Sequence, residues 1–170
     1  MVGALFLGGC ATAPRTASER SELEVQASQS VQAMTAKDPA LRPLLDQAAG
    51  YIVFPAIKQG GFVVGGAGGR GVIYEGGQMV GFAELSQASV GAQIGGQKYA
   101  ELVVVRDKYT LAKIRSGDID LGTQASAVIL RQGAGNATSF GDSGISVFVD
   151  PIGGAMLNVS LTGQRVKSTG

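Results

Sequence analysis

The chain has 170 residues and a mass of 17.3 kDa, enough for one domain that buries about two-thirds of its unfolded surface without a covalent staple. Fourteen Lys and Arg against 13 Asp and Glu leave a formal charge of +1, so no global field draws it to nucleic acid and any anion site is local. It has no His and a single Cys, which excludes Ser-His-Asp and Cys-His catalysis, an intramolecular disulfide and a cysteine-cluster zinc site.

Residues 1–15 read as the remnant of a signal peptide followed by a tether. A short apolar run, Val2-Gly-Ala-Leu-Phe-Leu7, ends in small residues, the pattern of a secretory cleavage site. Leu7-Gly8-Gly9-Cys10 resembles a bacterial lipobox, which implies cleavage before Cys10, diacylation of its sulfur and acylation of the freed amine. A lone exposed thiol is a liability in an oxidising compartment, whereas a thioether is inert; the alternative is a plain tail with a buried Cys. Ala11, where Asp would retain a lipoprotein in the inner membrane, is similar to an outer-membrane address. Several acyl chains on one residue give stable anchoring. The run is short and lacks Lys or Arg before it, which points to an upstream start or a trimmed chain.

A single domain is expected over 16–170. Thr16-Ala-Ser-Glu19 has capping-box spacing, and Leu23, Ala27, Val31 and Met34 follow at helical intervals, so the spacing predicts an amphipathic helix of about five turns. Its polar face carries Glu19, Arg20, Glu22 and Glu24 and is not the basic face of a membrane-surface helix. Asp38-Pro39 starts a second helix that stops at Gly50, with Pro43 expected to break it into two pieces.

From Tyr51 the period becomes two. The runs 51–54, 62–64 and 72–74 read as strands around a glycine-dense turn, and 13 of the 27 glycines lie between Gly60 and Gly96. In strands glycine marks a bulge, a bend or close backbone approach, so Gly60, Gly61, Gly65, Gly66, Gly68, Gly71, Gly95 and Gly96 are read as structural. Val90, Ala92 and Ile94, then Leu102 and Val104, then Leu157, Val159 and Leu161 alternate with the other face, each predicting a strand buried on one side. Asp107 caps a short helix over 108–115, closed by Gly117. Strands are also expected within 119–130 and 145–149, and a polar loop over 132–143. The fold class is α+β: N-terminal helices packed on a strongly coiled antiparallel sheet or small barrel, with one short helix inserted between strands.

Gly66-Ala-Gly68-Gly-Arg-Gly71 matches the dinucleotide pattern G-x-G-x-x-G, yet Val72-Ile-Tyr74 is strand-like where that fingerprint needs a helix N-terminus. The carboxylates are scattered, and Asp118-Ile-Asp120 lacks the rest of a calcium loop. No enzyme, cofactor or metal is expected. The binding candidates are cations. Lys58 precedes Gly60-Gly61, Arg70 sits among glycines whose N–H groups would form an anion-binding nest, and Arg106, Lys108, Lys113 and Arg115 form a second set. Such patches suit anionic phospholipid headgroups, or are simply solvated faces.

Ala49-Gly-Tyr-Ile-Val-Phe-Pro55, Lys58-Gln-Gly-Gly-Phe62, Gly65-Gly66 to Gly71-Val72, Ala88-Ser-Val-Gly-Ala-Gln-Ile-Gly-Gly-Gln97 and Gly154-Ala-Met-Leu-Asn-Val-Ser-Leu-Thr-Gly163 together resemble the SYLF domain family, in its bacterial lipoprotein branch. The resemblance covers roughly 33–166 and implies a non-enzymatic lipid-binding module: eukaryotic members bind phosphoinositides and some bind actin, while bacterial members are envelope lipoproteins whose role is poorly defined. Lys58 and the glycines around Arg70 carry over. The phosphoinositide-binding amphipathic segment of eukaryotic members does not, because the first helix here is acid-rich. Met79, where many members have Trp, and Arg131-Gln-Gly, where Gly-Pro-x-Gly is common, are departures. Expected partners are therefore the membrane through lipidated Cys10 and anionic phospholipids, with no nucleic acid; the alternative is a structural or protein-interaction module in which lipid is only the anchor.

Overall fold

Thr16 starts the first helix as its spacing predicts: its Oγ1 accepts a hydrogen bond from the Glu19 N–H at 3.1 Å, and α1 runs Ala17–Lys37. The computed structural model describes residues 14–60, 64–90, 97–125, 127–130, 142–153, 161 and 163–169. Cys10, Gly61, Gly95, Gly96, most of the expected loop and most of the expected closing strand lie outside these described residues. In α1, Leu23, Ala27 and Met34 are buried against the sheet, with Val31 partly so. The second helix, α2 (Leu41–Gln47), is one continuous piece. Pro43 does not break it, because it falls in the first turn, where a missing N–H costs no intrahelical bond. Asp38 closes the preceding turn, its Oδ1 accepting from the Ala40 N–H at 3.1 Å.

The strands are β1 (Gly50–Gly60), β2 (Val64–Glu75), β3 (Gln78–Val90), β4 (Gln97–Val105), β5 (Asp118–Asp120), β6 (Ala127–Ile129), β7 (Ile145–Pro151) and β8 (Gln164–Ser168), with α3 (Lys108–Ser116) between β4 and β5. Their order in the sheet is β5-β8-β3-β2-β1-β4-β7-β6, antiparallel except for the short β6–β7 pair. The sheet is a strongly curled half-barrel with α1 packed on it, so the chain is an α+β domain. Chain connectivity contributes to the curl. The two edge strands are consecutive in sequence, and residues 121–126 between them span at most about 25 Å. Eight flat strands would place those edges about 34 Å apart.

Both faces of the curled sheet are buried. Ile52, Phe54, Ile73, Val103, Val147 and Val166 form the inner core, closed by Leu111 and Ile114 of α3. Val53, Val72, Phe82, Leu102, Val104 and Phe148 form the outer core beneath α1 and α2. One-sided burial is therefore wrong for β4, in which every residue from Tyr99 to Val105 is buried. The alternation that put Glu101 toward solvent instead puts it in the inner core.

The glycine-dense segment is not a turn. β2 runs straight through it, and positive φ occurs instead at Gly76 and Gly77 in the β2–β3 hairpin. What the stripe provides is close approach. β1 carries one more residue than β2 between the pairs Val53–Val72 and Lys58–Gly68, so it bulges around Pro55 and folds Phe54 and Ile57 over the inner side of β2. A Cβ on Gly71 would lie 2.6 Å from Phe54 Cδ1 and 2.8 Å from the Val53 carbonyl oxygen. Gly50, read from the sequence as the stop of the second helix and not as a point of close approach, is tighter still, 2.5 Å from the Tyr74 carbonyl oxygen. Gly66 is moderately close to the Gln87 carbonyl, at 3.2 Å, and Gly68 has ordinary room.

Asp107 caps α3 as expected, its Oδ1 accepting from the Thr110 N–H at 2.8 Å and its Oδ2 from the Thr110 hydroxyl at 2.9 Å. Because α3 supplies the lid of the inner core, Asp107→Ala is expected to lower the thermal midpoint by about 2–4 °C, read by circular dichroism. An unchanged midpoint would mean that the helix holds its place without the cap.

Candidate functional site

Lys58 stands directly opposite Lys98 of β4 and opposite Gly68 of β2, and Arg70 lies two residues farther along β2. All three line one groove of about 570 Å³ between α1 and the outer face, with Leu23 and Gln26 on the helix side. The β1 bulge makes the floor, where Pro55 and Ala56 also line the groove. Along α1 a second hollow, of about 390 Å³, shares Lys98, Pro55 and Gln26 and continues past Gln29 and Ser30 to Asp150. There the C-terminal end of α1 is fastened by the ion pair of Lys37 with Asp150.

Two ammonium groups directly opposite each other on one face of a sheet repel. Among the described residues neither Lys58 nor Lys98 has a carboxylate within ion-pair distance. Arg70 has one weak partner, its Nη1 lying 3.8 Å from Glu19 Oε2, with both side chains half-exposed. Glu84 of β3 stands opposite Arg70 in register without an ion pair. The Arg15 N–H, donating to Glu19 Oε2 at 2.8 Å, holds that carboxyl below its usual range, assisted by the Thr16 backbone and by Arg70. The groove is thus a cluster of three cations with one loosely held acid at its rim.

No protein-family model matches this sequence, and no curated protein matches it.

The second set of predicted cations is elsewhere. Gly50 pairs with Val105 and Glu75 at one end of β1, whereas Lys58 pairs with Lys98 and Gly68 at the other, eight residues or about 26 Å away. Arg106, Lys108, Lys113 and Arg115 belong to the Gly50 end, where Arg115 Nη1 is 2.9 Å from Glu75 Oε2 and Lys113 Nζ lies 5.4 Å from the centre of the Tyr109 ring. The six cations therefore do not form one site. Nor do the glycines beside Arg70 form a nest: they are extended and paired with β3 throughout, so successive N–H groups point to opposite sides. Anion contact in the groove has to come from side chains.

Lys98 was missed because nothing local marks it; it joins Lys58 only through the pairing of β1 with β4. Among the described residues no group of three or more Cys, Asp or Glu side chains is placed to hold a metal ion, and no helix is long and apolar enough to cross a membrane. The groove offers a planar guanidinium fork and two mobile ammonium groups converging on one hollow. That combination is suited to a phosphate ester, with Arg70 taking two oxygens and the lysines neutralising the remaining charge.

Proposed function

We propose that this chain is an envelope lipoprotein of the SYLF kind, anchored to the outer membrane through lipidated Cys10, whose domain binds anionic, phosphoinositide-like phospholipid headgroups without catalysing a reaction. The observation that carries this reading is the facing Lys58–Lys98 pair with Arg70 beside it in one open groove. Such an arrangement is unfavourable until an anion occupies it. The neutral polar wall of Gln26, Gln29 and Ser30 gives room for headgroup atoms beyond the phosphate. Lipid on Cys10 would hold the domain at a membrane, so the groove need supply only part of the affinity.

The test is co-sedimentation of the full chain carrying Cys10→Ser, hence without its anchor, with neutral, phosphatidylglycerol, cardiolipin and phosphoinositide vesicles at two salt concentrations. Binding to the anionic vesicles alone, weakened by salt, is the expected result. Absence of binding to every vesicle would instead support the protein-interaction module, with the anchor as the sole membrane contact.

A further inference from the structure

The inner core holds an ionisable group that the headgroup groove does not use. Glu101 on β4 is fully buried, and its Oε2 accepts a hydrogen bond from Gln164 Nε2 on β8 at 3.1 Å. These strands are not neighbours, since β3, β2 and β1 lie between them in the sheet. The bond therefore runs across the inside of the half-barrel. In register, Glu101 faces Phe54 of β1 and Val149 of β7, both apolar. Tyr99 is two residues along β4 on the same face, and Gln87 of β3 stands opposite Gln164. Among the described residues no Lys or Arg contributes charge at Glu101.

Glu101 Oε1, Gln164 Oε1 and the Tyr99 hydroxyl are all buried without a hydrogen-bond partner. A carboxylate here would leave facing acceptors unsatisfied and a bare charge in an apolar core. One proton on Oε1 changes the balance. The acid O–H can then donate to the amide Oε1 while the amide N–H donates to the acid Oε2, closing a two-bond ring that satisfies both groups.

We infer that Glu101 is a neutral carboxylic acid in the native fold, and that its pair with Gln164 is a proton-dependent strut holding β8 and its edge partner β5 across the half-barrel to β4. Burial pushes the Glu101 carboxyl up from 4.5 to about 8, and the amide bond only partly offsets this. Burial, and then the Glu101 charge, push the Tyr99 phenol upward as well, so it remains a donor. Between pH 4.5 and 8 the folded chain holds a proton that the unfolded chain has lost. Stability from this group is therefore complete below that window, declines as pH rises through it and is constant above it.

The test compares thermal unfolding of the Cys10→Ser chain with and without Glu101→Gln from pH 5 to 9. Gln keeps a planar donor and acceptor but does not titrate. The midpoint of the parent is expected to fall by roughly 8–15 °C relative to Glu101→Gln across that range. Parallel profiles would overturn the inference. Should Glu101→Gln fail to fold, infrared spectroscopy of the parent decides: a protonated carboxyl C=O band that persists at pH 7 and titrates near 8 supports it, and its absence overturns it. Amide exchange, corrected for its intrinsic pH dependence, should show β8 losing protection before β1–β4 as pH passes 8, whereas uniform loss would contradict the strut.

Discussion

Gly71→Ala is expected to lower the thermal midpoint of the domain by about 6–12 °C, corresponding to roughly 3 kcal/mol of overpacking in a chain of this size. The added methyl group would meet the Phe54 ring at 2.6 Å and the Val53 carbonyl at 2.8 Å. The ring can turn, but the carbonyl is fixed by the β1 bulge, so the clash cannot be relieved by one rotamer change. Gly76→Ala supplies the comparison. Gly76 has φ +59° and open space around it, so that substitution costs only about 1–2 kcal/mol of backbone strain. Phe54→Leu in the Gly71→Ala background should recover part of the loss, because a smaller side chain makes room, while costing stability in the parent. A midpoint for Gly71→Ala no lower than that for Gly76→Ala would show that the bulge does not press on the glycine stripe.

What could be read in advance was local. The Thr16 and Asp107 caps each involve a side chain and a backbone group three residues on, so their spacing is visible in the sequence itself. The α+β class followed from the change of period near residue 50. What could not be read depends on partners far along the chain. Glycines in a dense run look like a turn until Phe54 and Ile57 of the neighbouring strand are seen folded over them. Glu101 looks like the polar side of an alternating strand until the curl of the sheet brings Gln164 of β8 across to it. β8 was not among the expected strands, because Val166 is the one apolar residue between Gln164 and Ser168, although Gln164 and Val166 are both buried.

The candidate site divides in the same way. Lys58 and Arg70 were visible as cations among glycines, and the groove does bring them together. Arg106, Lys108, Lys113 and Arg115 cluster in sequence, yet the length of β1 separates them from the groove. Sequence proximity identified a patch, but strand register determines which patch faces α1. Lys98, whose role depends wholly on register, had no signal of its own.

Lys58→Glu with Arg70→Glu, in the Cys10→Ser chain, is expected to weaken binding to phosphatidylglycerol vesicles about a thousandfold at low salt. A cation at an anionic surface contributes about 1 kcal/mol, and reversal replaces that attraction by a similar repulsion, so two reversals amount to about 4 kcal/mol. Loss of the half-exposed Arg70–Glu19 contact adds little to the stability change, since pairs of this kind are worth about 0–1 kcal/mol. The circular dichroism spectrum should therefore be unchanged. Salt should reduce the difference between the parent and the double variant, because screening shortens the reach of every exposed charge.

The most direct measurement sets that double variant beside Lys108→Glu with Lys113→Glu in the same vesicle co-sedimentation, since the two pairs carry equal charge at opposite ends of β1. A headgroup site in the groove predicts that the Lys58 and Arg70 variant loses binding while the Lys108 and Lys113 variant keeps most of it. Equal loss in both, or binding retained by the Lys58 and Arg70 variant, would contradict it.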